Sequence, residues 1–222
     1  MHLQLYFAPG ACSFVPHTLL ESAGAAFEPK MVKLHKGEQY GEEYKAINPR
    51  AQVPVLVADG QAITQIMAIT QFIAESYPHA QLMPTQGAAK AKFLELLAWM
   101  NNSVHPTFTH IFMPQKFTSD EAAQAAIKAH NTALFAKQLA EIDGYVAKAK
   151  SSGSKYLAAL FGHDHFTALD AYTITLIRWG SIAGIDPTQF THAWAHVQLI
   201  AAELAVARVI ERERLKLNMM AS

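Results

Sequence analysis

The chain has 222 residues, 51% of them hydrophobic, enough for one large domain or two small ones around a buried core. Lysine plus arginine equals aspartate plus glutamate at 18 each, with the charges dispersed, which excludes the basic face of a nucleic-acid binder and the cationic cluster of an anionic-lipid binder. Its single cysteine, Cys12, excludes intramolecular disulfides and multi-cysteine metal sites, so a soluble protein with a small-molecule ligand and a reduced thiol is expected.

The opening MHLQLYFAPG lacks a basic segment followed by an apolar core, and no run has the length of a membrane helix. A cytoplasmic protein without a membrane segment is expected. The first eighty residues then alternate short apolar runs with helical patterns, the order of an α/β unit. LQLYF, from Leu3 to Phe7, reads as a buried strand. Phe14, Leu19, Leu20 and Ala23 fall near helical spacing, and Gly24 is placed to end that helix. EPKMVKL gives a second strand. After the polar HKGEQYGEEYKAINPRAQ, the segments VPVLVADG and QAI read as two short strands around an Asp-Gly turn. Thr64 caps a helix from Gln65 to Tyr77, which carries Met67, Ile69, Phe72 and Ile73 and stops before Pro78. Residues 1–79 therefore read βαβα-ββα, a thioredoxin-like α/β domain with a mixed sheet.

Pro78 to Gly87 is rich in turn formers, and a linker is expected at residues 80–88. From 89 to 222 an all-α domain is expected. Its helical patterns run from about Ala88 to Phe112, Ser119 to Ala149, Thr167 to Gly184 and Thr191 to Leu217, with no strand among them.

Two places carry possible chemistry, and two more are set aside. Cys12 follows a Pro9-Gly10 turn and precedes a helix, where unpaired N–H groups and the helix dipole favour a thiolate, and Ser13 adds a hydroxyl beside it. Cysteine is also among the most buried residues, so the local reading leaves Cys12 open between a working thiolate and a small apolar filler. In NPRAQVPVL, a cis Val53-Pro54 bond would leave the N–H and C=O of Val53 unpaired and able to bind an extended peptide as an added strand. Thr167-Ala168-Leu169-Asp170 is a capping box before an apolar run and belongs to the structure. His110, His163 and His165 lack partners at ligand spacing, and no metal site is expected.

YFAPGACSFVPH, INPRAQVPVL, DGQAITQ before a helix, an all-α second half and FTALDAY within it together resemble a bacterial glutathione transferase of the beta class, over nearly the whole chain. The resemblance implies that Cys12 lies close to the glutathione sulfur and can form a mixed disulfide with it, with Ser13 the alternative hydrogen-bond donor. It implies that Val53 pairs its backbone with the cysteinyl part of glutathione beside a cis Pro54, and that Lys36 reaches the glycyl carboxylate. Gln65 and Ile66 match the pair that contacts the γ-glutamyl group. Ile66 brings no hydroxyl there, but its N–H at a helix start holds a carboxylate as helix N-termini do. His105 matches a histidine near the bound sulfur, whereas Pro106 replaces the lysine that follows it in the family and would bend the helix. Trp99 to Ser103 match positions that reach glutathione, and Phe108, Phe112, Met113 and Trp179 are candidates for a second-substrate pocket or for core.

The function so implied is conjugation of the glutathione thiolate to an apolar electrophile in detoxification, by a cytoplasmic homodimer with glutathione as co-substrate and no metal. Two alternatives share the fold: glutathione-dependent thiol-disulfide exchange through Cys12, and a binding module without turnover, which Ile66 and Pro106 favour.

Overall fold

A computed structural model describes residues 1–220. Four strands form one sheet in the order β2-β1-β3-β4. The central strand β1 (Leu3–Phe7) buries Leu3, Leu5 and Phe7 on one face, as a period of two requires. It pairs in parallel with the edge strand β2 (Glu28–Met31), and a parallel pair needs a crossover, which helix α1 (Phe14–Ser22) supplies. Strand β3 (Val55–Ala58) runs antiparallel to β1, and β4 (Gln61–Thr64) antiparallel to β3. The hairpin joining them turns through Asp59 and Gly60, both at positive φ, as a tight right-twisted turn demands. Helix α2 (Glu42–Ile47) precedes β3, and α3 (Ile66–Ser76) follows β4. The unit is the thioredoxin-like βαβα-ββα with a mixed sheet.

All the remaining regular elements are helical. Helix α4 (Gly87–Trp99) passes through a five-residue π stretch, Met100–Val104, into α5 (His105–Phe112). The helical pattern expected from about Ala88 to Phe112 is thus interrupted just before Pro106, where a departure from a regular helix is expected. Proline lacks the N–H and collides with the carbonyl one turn back, and the wider π turn before it absorbs both defects. Helix α6 (Glu121–Ser151) is capped by Asp120, whose carboxylate accepts the Ala123 N–H at 2.8 Å. Helix α7 (Ala168–Ile182) is buried almost all round and sits at the centre of the helical layer. Its start is the expected capping box, with Asp170 accepting from the N–H groups of Thr167 and Leu157, both at 2.9 Å.

The pattern from Thr191 to Leu217, expected as one helix, is two: α8 (Thr191–Ala201) and α9 (Leu204–Glu213), bent by 92°. Neither proline nor glycine breaks it. Turning at Ala202 and Glu203 lets α9 fold back onto α1 and bury Val206 and Val209, while Leu204 at the corner stays 77% exposed. Packing outweighs periodicity there. One continuous core results, in which Phe14 and Leu20 of α1 join Phe93, Leu139, Leu169, Tyr172 and Val209. Among the described residues no single helix is long and apolar enough to cross a membrane.

Candidate functional site

A cleft of about 770 Å³ runs between the C-terminal end of β1, the loops before β3 and α3, and helices α5 and α7. Cys12, Val53, Pro54, Gln65, Ile66 and His105 all line it; Lys36 and Ser13 do not.

Cys12 is 8% exposed, one residue before the Ser13 cap of α1. Burial pushes its thiol up to about 12, overcoming the backbone N–H groups of Cys12 and Ser13 that pull it down, while the Glu213 charge adds to the rise. The thiolate that a helix N-terminus favours is thus not the resting state. The S–H donates instead to the Val53 carbonyl at 3.6 Å. Ser13, expected as an alternative donor to the sulfur, is fully buried. Its hydroxyl accepts from the Ala8 N–H at 3.1 Å and donates to the Ala8 carbonyl at 3.2 Å, tying the end of β1 to α1.

The Val53-Pro54 bond is cis. Contrary to the expectation of an unpaired Val53 carbonyl, Cys12 already occupies that oxygen; among the described residues no group hydrogen-bonds the Val53 N–H. The segment before it is held from below: Tyr44 Oη and Asn48 Nδ2 donate to the Gln52 carbonyl at 2.7 and 2.8 Å, and Asn48 Oδ1 accepts from the Arg50 N–H. Asn48 of the NPRAQVP motif is therefore a brace for the loop.

Gln65 sits at the start of α3 with φ of 74°, an uncommon backbone state for a side chain of that size. It faces the cleft beside Ile66, whose N–H belongs to the unpaired first turn of an 11-residue helix. Lys36 is exposed outside the lining: the one-turn helix Leu34–Lys36, closed by Gly37 at positive φ, leaves Lys33 and His35 on the cleft instead.

His105, in the first turn of α5, has its Nδ1 2.6 Å from Tyr172 Oη. Burial lowers its pKa to about 4, so the ring is neutral at physiological pH. Tyr172 Oη also lies 3.2 Å from Asn101 Oδ1, and burial raises the phenol well above its ordinary range. Beside them Phe108 stacks on Trp179 at 4.4 Å and on Phe112 at 5.5 Å, an aromatic slab that Met113 and Ile182 extend.

Sequence reasoning missed the frame around Gly10. This residue has φ of 71°, and an added Cβ would meet Arg178 Nη1 at 2.6 Å. Its N–H donates to Glu213 Oε2 at 2.9 Å and its carbonyl accepts from Trp179 Nε1 at 2.9 Å. Glu213 Oε1 in turn accepts from His17 Nδ1 at 2.7 Å, while Arg212 donates to His17 Nε2 at 2.9 Å. No local signal announces Tyr172 or Glu213, because their partners lie 67 and 203 positions away. The histidines set aside for metal are engaged elsewhere: the ring of His110 reaches the Pro106 carbonyl and that of His163 the Gln81 carbonyl, both at 2.6 Å.

Residues 1–75 match the family model "Glutathione S-transferase, N-terminal domain". The chain is 30% identical over 217 residues to glutathione S-transferase GstA of Escherichia coli O157:H7, covering 96% of this chain and all of that one. It is similar in structure to a sphingomonad glutathione S-transferase complexed with glutathione, with a TM-score of 0.78 at 28% identity, over 96% of this chain and all of that one. A beta-class glutathione S-transferase of Sphingomonas chungbukensis aligns with a TM-score of 0.80 at 26% identity, with the same coverage.

Proposed function

We propose, starting from the fact that this chain belongs to the glutathione S-transferase family, that it joins the glutathione thiolate to an apolar electrophile held in the cleft. The observation that carries this reading is the juxtaposition, in one cavity, of a peptide-binding wall (Val53, Gln65, Ile66) and an aromatic wall (Phe108, Phe112, Trp179) with Cys12 and His105 where they meet. Residues 1–79 hold glutathione, 80–88 link, and 89–222 supply the electrophile wall.

The γ-glutamyl end of glutathione binds at Gln65 and the unpaired N–H groups opening α3, which favour a carboxylate. Its cysteinyl backbone pairs with Val53 as an added strand. Its glycyl carboxylate lies toward Lys33 and His35 rather than Lys36. The sulfur then faces Cys12 and His105. Each tenfold gain in thiolate needs about 1.4 kcal/mol, and one or two hydrogen bonds to the anion supply it in a low-dielectric cleft. The thiolate attacks the electrophile against the Phe108–Trp179 stack, forming a C–S bond as the leaving group departs. The same reading makes the protein a cytoplasmic homodimer working on toxic electrophiles, a part that rests on the family resemblance.

Thiol-disulfide exchange through Cys12 is the weaker reading. With its thiol pushed up to about 12 by burial, Cys12 rests as the neutral thiol rather than the thiolate that exchange requires. Calorimetric titration with glutathione tests the whole assignment, together with conjugation of an aryl halide. Binding in the micromolar to low millimolar range with turnover is expected. No heat up to several millimolar would leave a binding module of another kind.

A further inference from the structure

The cleft is one-sided in charge. The whole chain balances 18 lysines and arginines against 18 carboxylates, yet the residues lining the cleft include Lys33, Lys116 and Arg178 and neither an aspartate nor a glutamate. Lys33 lies at the end assigned above to the glycyl carboxylate of glutathione. Lys116 and Arg178 lie on the helical half, at the aromatic slab. Arg178 precedes Trp179 in α7, and Lys116 comes four positions after Phe112, just past α5, so the two cations stand beside the two ends of the Trp179–Phe108–Phe112 stack. Arg178 is half-buried and has five N–H groups. Nε donates to the Lys216 carbonyl at 2.8 Å, Nη1 makes a loose contact to the Gly10 carbonyl at 3.4 Å, and Nη2 reaches Met219 Sδ at 3.8 Å. One N–H on each terminal nitrogen is left over. Glu213, whose charge acts on Arg178, spends its two oxygens on Gly10 and His17, and among the described residues neither Arg178 nor Lys116 forms an ion pair. Burial lowers the guanidinium pKa more than Glu213 raises it, as expected of a cation desolvated without a full partner.

We propose that the electrophile is an aromatic acid, whose ring lies on the Phe108–Trp179 stack while Arg178 receives its carboxylate and Lys116 adds positive charge at the far end of the slab. This rests on the transferase reading given above and narrows it to a substrate that is apolar in its body and anionic at one edge. A guanidinium presents paired donors that match the two oxygens of a carboxylate, and beside a low-dielectric aromatic wall their attraction is screened less than on open surface. A cationic electrophile would meet two positive charges and no carboxylate. A neutral one would leave the Arg178 N–H groups desolvated and unanswered, so the cleft discriminates by penalty as well as by attraction.

Binding is read first, with rings that carry no leaving group. 3-Nitrobenzoate and 3-nitrobenzamide have the same ring and nearly the same size but differ in charge. Titrated into the wild-type protein at pH 7 and low salt, with and without glutathione, the acid is expected to bind at least about tenfold more tightly than the amide, and the preference to shrink as salt rises to about 0.5 M. Equal affinities would overturn the proposal whether or not glutathione binds. A preference lost on adding glutathione would also overturn it, because the carboxylate would then belong to the Lys33 end. Arg178→Gln should remove most of the preference, and Lys116→Met, at an exposed position, should cut it about threefold. Should Arg178→Gln not fold, Lys116→Met decides; a preference that neither substitution moves refutes the assignment. Turnover gives a second reading. With 4-chloro-3-nitrobenzoate and 4-chloro-3-nitrobenzamide, where chloride leaves as the C–S bond forms, kcat/KM divided by the rate with free glutathione should favour the acid by at least about tenfold. Calorimetry with glutathione separates the two claims: absent glutathione binding with the acid still preferred removes the transferase reading and leaves the aromatic-acid site, whereas glutathione binding with equal rings removes this proposal alone.

Discussion

Replacing Glu213 by glutamine removes one charge and leaves the side chain almost the same size. In the native site the carboxylate is 3% exposed and accepts two hydrogen bonds, from Gly10 N–H at 2.9 Å and His17 Nδ1 at 2.7 Å. His17 has no freedom to become the acceptor, because Arg212 already donates to its other nitrogen. A glutamine has one acceptor oxygen, so its NH₂ must face either Gly10 or His17, donor against donor. Losing one charge-assisted bond and stranding one buried donor amounts to about 3 kcal/mol. For a chain of this size each kcal/mol is worth about 2–4 °C, so Glu213→Gln should melt about 6–12 °C lower. Scanning calorimetry beside a glutathione titration is the assay, with the exposed neighbour Glu211→Gln as a control expected within about 0.5 kcal/mol of wild type. Affinity should fall as well, since the Gly10 turn carries Cys12. A melting point within about 1 °C of wild type would refute the argument that this carboxylate clamps the turn.

Three further outcomes follow from the same site. Gly10→Ala places a Cβ at positive φ and 2.6 Å from Arg178 Nη1, so the turn must shift; about a tenfold weaker glutathione affinity is expected by calorimetry, and unchanged affinity would show that Arg178 yields freely. His105 titrates near 4 in the folded chain against about 6.5 unfolded, so the unfolded state binds the extra proton between those values. Stability is thus complete above about pH 6.5 and lost toward pH 4 by up to about 3 kcal/mol, and His105→Gln, compared by urea melts, should lack that slope. Cys12, raised to about 12, has the opposite sense: its stabilisation holds below about pH 9 and fades between 9 and 12. Its alkylation by iodoacetamide at pH 8 should be about 1,000-fold slower than that of an ordinary exposed thiol and climb with pH; a rate already level at pH 8 would contradict a protonated thiol.

The thioredoxin-like unit was legible because each element signals itself locally: alternation in Leu3–Phe7, an Asp-Gly turn, a helix stopped by Pro78. The Thr167–Asp170 box was legible for the same reason. The bend between α8 and α9 was not, since a hydrophobic stripe reads alike whether it packs straight or folds back on α1. Within the site, the cleft-lining positions of Cys12, Val53, Gln65 and His105 followed from motif and order. That Lys36 and Ser13 stand outside the lining was not legible, because which way a short loop or cap directs a side chain depends on contacts such as Ala8 on Ser13 that no spacing encodes. Tyr172 and Glu213 show the limit of such reading: each acts on a partner from another helix, and the sequence between them carries no trace of the pairing.

The clamp on Gly10 has a consequence for how the protein is made. Synthesis runs from the N-terminus, so the turn bearing Cys12 emerges early, yet the carboxylate that fixes it is 203 positions later and leaves the ribosome well after it. A growing chain, or one clipped by a protease before α9, has its strands and its cysteine but an unlatched turn. The thiol-bearing turn is therefore locked only once α9 has docked on α1.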